Sequence, residues 1–206
     1  MKFPPLAAFA AVFLAALCAF APSPASAQGR DNVYAVAGVH VDETAANAAA
    51  AQQAGLVAAQ RAGFPREKIL GVWWSGAEED VVPAGDAAKG YFAAGFNLPG
   101  TNFPVMQDLL KHVYKTGKGE MDDKSRIGSV YHTRGIVAGI VTTEAIRKAQ
   151  ERFGKGKPVT GEQMRWGIEN LDITDARLKQ LGAVGLMSAL KVSCMDHEGG
   201  GAVKFM

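Results

Sequence analysis

Ile69-Leu70-Gly71-Val72-Trp73-Trp74-Ser75-Gly76-Ala77-Glu78-Glu79-Asp80 is the stretch on which the fold turns. It starts as an apolar run, breaks at Ser75-Gly76, and ends in three carboxylates. The run reads as a buried strand, Ile69–Trp74, leaving an α/β sheet at its carboxyl end and passing into a polar turn. In open α/β sheets, ligands gather in the crevice beyond those ends. Side chains alternate along a strand, so one tryptophan packs inward and the other faces the mouth of a cleft. Glu78 then stands where a carboxylate can meet a cationic group of a ligand. A buried strand followed by a solvated acidic turn gives the same pattern, since loops are ordinarily polar and exposed. The local sequence leaves both readings open.

On the N-terminal side, Val33–Val41 alternates and is β-prone. Asp42 is placed to cap an alanine-rich helix from Thr44 to about Ala62, which Gly63-Phe64-Pro65 ends. With Ile69–Trp74 this makes a β-α-β unit, and a parallel pair of strands follows. On the C-terminal side, Gly90–Phe96 reads as another strand. Pro104 opens a helix with Val105, Met106, Leu109, Leu110 and Val113 on one face. A helix entered at Val130-Tyr131-His132 carries the stripe Val137, Val141, Ala145, Ala149. Thr160 with Gln163 forms a capping-box pattern, and Thr174 caps a shorter helix ending at Leu181-Gly182. Leu190–Cys194 and Ala202–Phe205 read as an antiparallel hairpin. The expected fold is α/β: a three-layer αβα sandwich with a mainly parallel sheet and that hairpin at its end.

The chain has 206 residues, one domain or two small ones by length. Its apolar share of 48% with 20% charged is ordinary for a globular protein. The formal charge is +2, and residues 1–27 carry one lysine and no acid, so nothing points to nucleic acid or an anionic membrane as partner. Lys2, the apolar run Leu6–Phe20 and Ala25-Ser26-Ala27 read as a cleavable signal peptide over residues 1–27. No later stretch is long and apolar enough to span a bilayer, so the mature chain is expected in the periplasm without membrane insertion. Cys194 is the one cysteine of the mature chain and reads as a packed small apolar residue.

The search for chemistry finds little. His40, His112, His132 and His197 lie far apart, and Asp196-His197-Glu198, the best metal-like cluster, points its side chains in different directions. There is no Gly-x-Ser-x-Gly elbow and no phosphate-loop spacing. No enzyme, cofactor or metal is expected.

A resemblance completes the reading. Gly63-Phe64-Pro65-Arg66-Glu67-Lys68 before Gly71–Gly76, Pro83–Tyr91, Lys157–Gln163, and Val192-Ser193-Cys194 with Asp196–Gly200 together carry it. From about Ala59 to Met206 the chain resembles the C-terminal lobe of the type I periplasmic substrate-binding proteins of branched-chain amino-acid ABC uptake systems. In that family two α/β lobes close over one ligand by a hinge. The resemblance implies a small amino acid as ligand and an inner-membrane ABC permease as partner. It places Glu78 against the ligand's ammonium group, since a buried ammonium needs a carboxylate. It puts Trp74 and Ser75 on the same wall and Tyr131 over the apolar tail. Tyr131 read by itself is equally a half-buried tyrosine at a helix start.

The departures from the family are large. Residues 28–58 do not look like it; Asp31 to Ala59 resembles the start of an uncharacterised family of exported bacterial proteins. Residues 59–206 then stand as one lobe with a shortened final strand, the pattern of a fusion or gene-model fragment, and ligand binding is expected to be much weakened. The alternative is an exported, non-catalytic interaction protein built from a lobe that has lost its ligand, with Trp74 and Tyr131 in an exposed apolar patch.

Overall fold

The computed structural model describes residues 34–36, 54–73, 75–200 and 202–206, all within the compact unit Tyr34–Met206. The expected signal peptide and most of the alanine-rich helix lie outside the described residues. Six strands are described: β1 Tyr34–Val36, β2 Ile69–Gly71, β3 Phe92–Gly95, β4 Asp172–Ile173, β5 Leu190–Lys191 and β6 Lys204–Phe205. The helices are α1, described over residues 54–61, α2 Glu78–Val81, α3 Pro104–Leu109, α4 Val130–Phe153, α5 Gly161–Glu169 and α6 Asp175–Gln180.

The fold is α/β. A four-stranded sheet has the order β1-β2-β3-β6, with β1, β2 and β3 parallel and β6 antiparallel to β3. The β1-α1-β2 unit gives the parallel pair read from the sequence. Helix α1 stops because Gly63 adopts φ 68°, with Gly63 N–H bonded to Gln60 O and Phe64 N–H to Ala59 O. These two bonds satisfy carbonyls that the helix end leaves open. Leu56 of α1 packs on Ile69 of β2, with Ala84 and Ala87 from a 3-10 segment at Val82–Ala88.

The C-terminal antiparallel pairing differs from the expected hairpin. Lys204 and Phe205 pair with Gly95 and Ala94 of β3, whereas Leu190 and Lys191 pair with Ile173 and Asp172. The sequence between them folds as a tight turn of its own, in which Ser193 and Asp196 exchange backbone hydrogen bonds. Cys194 lies in that turn and is exposed, not packed. A short turn that bonds to itself leaves the side chains at its tip in water.

The second core joins α4 to the β4-β5 pair and α6 through Ala145, Leu171, Ile173, Leu178, Ala183 and Met187, with Val137 and Val141 against it. The expected stripe on α4 is thus its buried face. Thr160 forms both bonds of the capping box with Gln163, and Thr174 caps α6. Helix α3 continues through a π turn at Leu110–Tyr114. A connection of residues 115–129 then leads to α4, whose first turn is capped by Ser129.

Candidate functional site

The apolar run at residues 69–74 does not stay in the sheet to its end. Strand β2 stops at Gly71, and Trp73 lies in a turn. The cause is Ser75: its amide and its hydroxyl both donate to Val72 O, at 2.9 Å each, pulling the chain out of the ladder. The Tyr91 hydroxyl donates in turn to Ser75 Oγ at 2.9 Å. Ser75 is 3% exposed, so it fixes the turn from inside and its hydroxyl is fully engaged. Trp74 lies outside the described residues.

The acidic segment forms the short helix α2, whose first turn carries Glu78, Glu79 and Asp80. Carboxylates there complement the helix dipole. The three have different surroundings. Glu78 reaches the start of α4, where Val130 N–H donates to Oε2 at 3.0 Å and to Oε1 at 3.3 Å. Glu79 forms an ion pair with Arg126 from the connection before α4. Asp80 is buried at 4% exposure, and burial pushes its carboxyl above the usual range against the pull of the Ala77 amide and Arg134. Its Oδ2 has no protein partner.

Glu78 lines two cavities. One, of about 230 Å³, is walled by Gly76, Tyr91, Ala93, Val130 and Met206. The other, of about 550 Å³, opens between Glu78, Glu79, Gly100, Ser125, Arg126 and Ser129. The carboxylate therefore stands at a concave surface at the carboxyl side of the parallel strands, where ligands of open α/β sheets bind.

Tyr131, 39% exposed, follows the amide that Glu78 holds. Its phenol is pushed up by burial first and by the nearby Asp80 charge second. The Arg134 guanidinium lies 4.5 Å from the Trp73 ring centroid and 5.1 Å from that of Tyr131, and Nη2 donates to Trp73 O at 2.9 Å. Trp73 also meets Phe96 edge to face at 5.8 Å. The structure thus brings Glu78 and Tyr131 to one region and turns Ser75 inward. Arg134 and Arg126 were not singled out in the sequence. The spacing Tyr131-x-x-Arg134 on one helix face was the available signal for the first. Arg126, in a charged loop, gave none. Among the described residues no group of three or more His, Cys, Asp or Glu side chains is placed to hold a metal ion. None of the described helices is long and apolar enough to cross a membrane.

No family model matches the chain, and no curated protein matches it. Two solved structures do. The crystal structure of an ABC transporter permease from the Pseudomonas fluorescens group is 46% identical over 75% of this chain and 37% of its own, with a TM-score of 0.73. A branched-chain amino-acid ABC transporter from Thermus thermophilus, crystallised with bound valine, is 25% identical over 74% of this chain and 38% of its own, with a TM-score of 0.54. The chain therefore spans less than two fifths of the length of either structure it matches.

Proposed function

We propose that this chain is a solute-binding lobe of an ABC uptake system for branched-chain or related small amino acids, exported to the periplasm through a cleaved leader. On this reading it binds and does not catalyse, and its partner is an inner-membrane permease. The observation that carries the reading is the place of Glu78. Its carboxylate lines two cavities at the carboxyl side of the parallel strands, in a chain about three quarters of which is similar to two ABC transporter structures. Glu78 receives the ammonium group, Tyr131 covers the side chain, and Ser75 holds the turn that presents Glu78.

The Val130 amide satisfies part of the Glu78 carboxylate and leaves lone pairs for a ligand. With one wall of the site formed by the described residues, affinity for L-leucine or L-valine should be weak, with a dissociation constant on the order of 1 mM. Isothermal titration of the wild type and of Glu78→Ala checks this. Heat of binding that persists unchanged in Glu78→Ala removes the assignment, and micromolar affinity refutes the argument from a single wall. A second reading, an interaction protein without ligand, draws on one observation: Phe92 and Phe205 on neighbouring strands are 49% and 58% exposed.

A further inference from the structure

The imidazole of His132 bonds to both ends of the connection that borders the larger cavity. Nε2 lies 2.6 Å from the hydroxyl of Tyr114, the last residue of the helical turn before the connection. Nδ1 accepts the Gly128 amide at 3.2 Å, at the far end of the connection. A backbone N–H only donates, so Nδ1 carries the lone pair; in the neutral ring Nε2 then carries the proton and gives it to the Tyr114 oxygen. Residues 125–129, between Tyr114 and His132, form one rim of the 550 Å³ cavity that Glu78 and Glu79 face.

Protonation changes this arrangement at one point. Nδ1 becomes a donor and opposes the Gly128 N–H, while the Tyr114 bond survives. The added charge also sits in the first turn of a 24-residue helix, where the dipole disfavours cations. Gly128 cannot readily be replaced as the contact: its φ is 92°, and a Cβ there would come within 2.9 Å of Thr101 and 3.2 Å of the Gly100 backbone. Tyr114 is the titratable side chain that bonds the ring. Glu78, from α2, holds the Val130 amide; Arg126, from the connection, holds Glu79; and Arg134, further along α4, holds Trp73 O. Burial is the effect that displaces the ring's titration, downward, toward the neutral form.

We propose that His132 is a pH-sensitive clasp on the binding cavity: neutral, it fastens Gly128 and Tyr114 and closes the rim at residues 125–129; protonated, it releases Gly128 and loosens that rim. Tightening or loosening of ligand binding with pH is the portion of this proposal that rests on the solute-binding reading; the clasp itself does not.

Amide hydrogen exchange at Gly128 in the full chain tests it, with rates corrected for intrinsic pH dependence. Protection should fall by about tenfold between pH 7.5 and pH 5, the worth of one hydrogen bond. His132→Asn keeps an acceptor near the Nδ1 position without a titrating group, so protection should hold at both pH values. His132→Gln keeps the polar atom near Nε2 but loses that acceptor, so protection should be low at both. Circular dichroism confirms that each variant folds. Equal wild-type protection at the two pH values, or a proton on Nδ1 at pH 7.5 by nitrogen-15 NMR, overturns the clasp. Titration with L-valine separates the two readings. Absence of valine binding alongside pH-dependent protection removes the ligand and leaves the clasp; weaker valine binding at pH 5 in the wild type and not in His132→Asn supports both.

Discussion

At the residue scale, Glu78 performs two tasks with one carboxylate. It anchors the first turn of α4 through the Val130 amide, and it faces both cavities. Glu78→Ala should therefore lower stability by about 1 kcal/mol in urea unfolding, the usual size of a charge-assisted bond at a helix N-terminus. Glu144 is a carboxylate of another kind. It is 2% exposed in the middle of α4, and Arg177 of α6 grips both oxygens at 2.7 and 2.8 Å while Arg147 donates to Oε2 at 3.0 Å. The Arg177 bonds hold its carboxyl below the usual carboxylate range, with burial working against them and Arg147 adding to them. The sign follows. The ion pair contributes stability in full above the unfolded carboxyl's value of 4.5, and this is lost as pH falls through the lower folded value. Arg177→Met leaves Glu144 buried with less compensation and should cost about 2 kcal/mol at pH 7, discounted for the partly exposed guanidinium. The cost should shrink in unfolding curves measured below pH 4. Glu144 and Arg147 have the i,i+3 spacing of a helix-face pair, but the Arg177 partner, 33 positions on and in another helix, leaves no local pattern.

At the element scale, local chemistry was largely readable. The α4 stripe, the Thr160 capping box, the Thr174 cap and the Gly63 and Gly182 helix ends all stand where spacing and residue type put them. Two pairings were not. The β2 ladder ends at Gly71 because Ser75 bonds back to Val72, a competition that apolar periodicity does not register. The β5 and β6 partners lie far away in sequence, so alternation suggested a hairpin between them where the chain pairs each with another strand. Helices α4 and α5 supply a sharper test. A Cβ at Gly167 would lie 2.3 Å from Ala145 O and 3.1 Å from the Ala149 methyl. Gly167→Ala gains up to about 1 kcal/mol of helix propensity. It must also force these close-packed helices away from each other, at about 1–3 kcal/mol. We expect net destabilisation, seen as a lower thermal midpoint, with Gly161→Ala, where a Cβ meets nothing within 4 Å, as the tolerant control.

At the scale of the whole molecule, the sheet has unequal faces. Ile69, Ala93 and their neighbours are buried, while Phe92 and Phe205, brought to the other face by the pairings Leu70↔Phe92 and Ala94↔Phe205, are half exposed. Parallel sheets are ordinarily covered on both sides. An apolar face left in water promotes association. Light scattering should show concentration-dependent growth for the wild type and a constant mass for Phe205→Glu. The ligand and the permease were suggested by family resemblance alone; the contact between residues 78 and 130, on which the proposed site rests, became visible only in the folded chain.

Helix α4 spans 24 residues, or about 36 Å at 1.5 Å per residue. One end rests on the Glu78 carboxylate; the other is locked by Phe153 against Trp166, with Arg152 over the indole. A stiff rod pinned at a cavity works as a lever. On the solute-binding reading, a tilt of about 5° at the Glu78 end carries the Phe153 end, together with the Trp166 helix locked to it, through about 3 Å over that length.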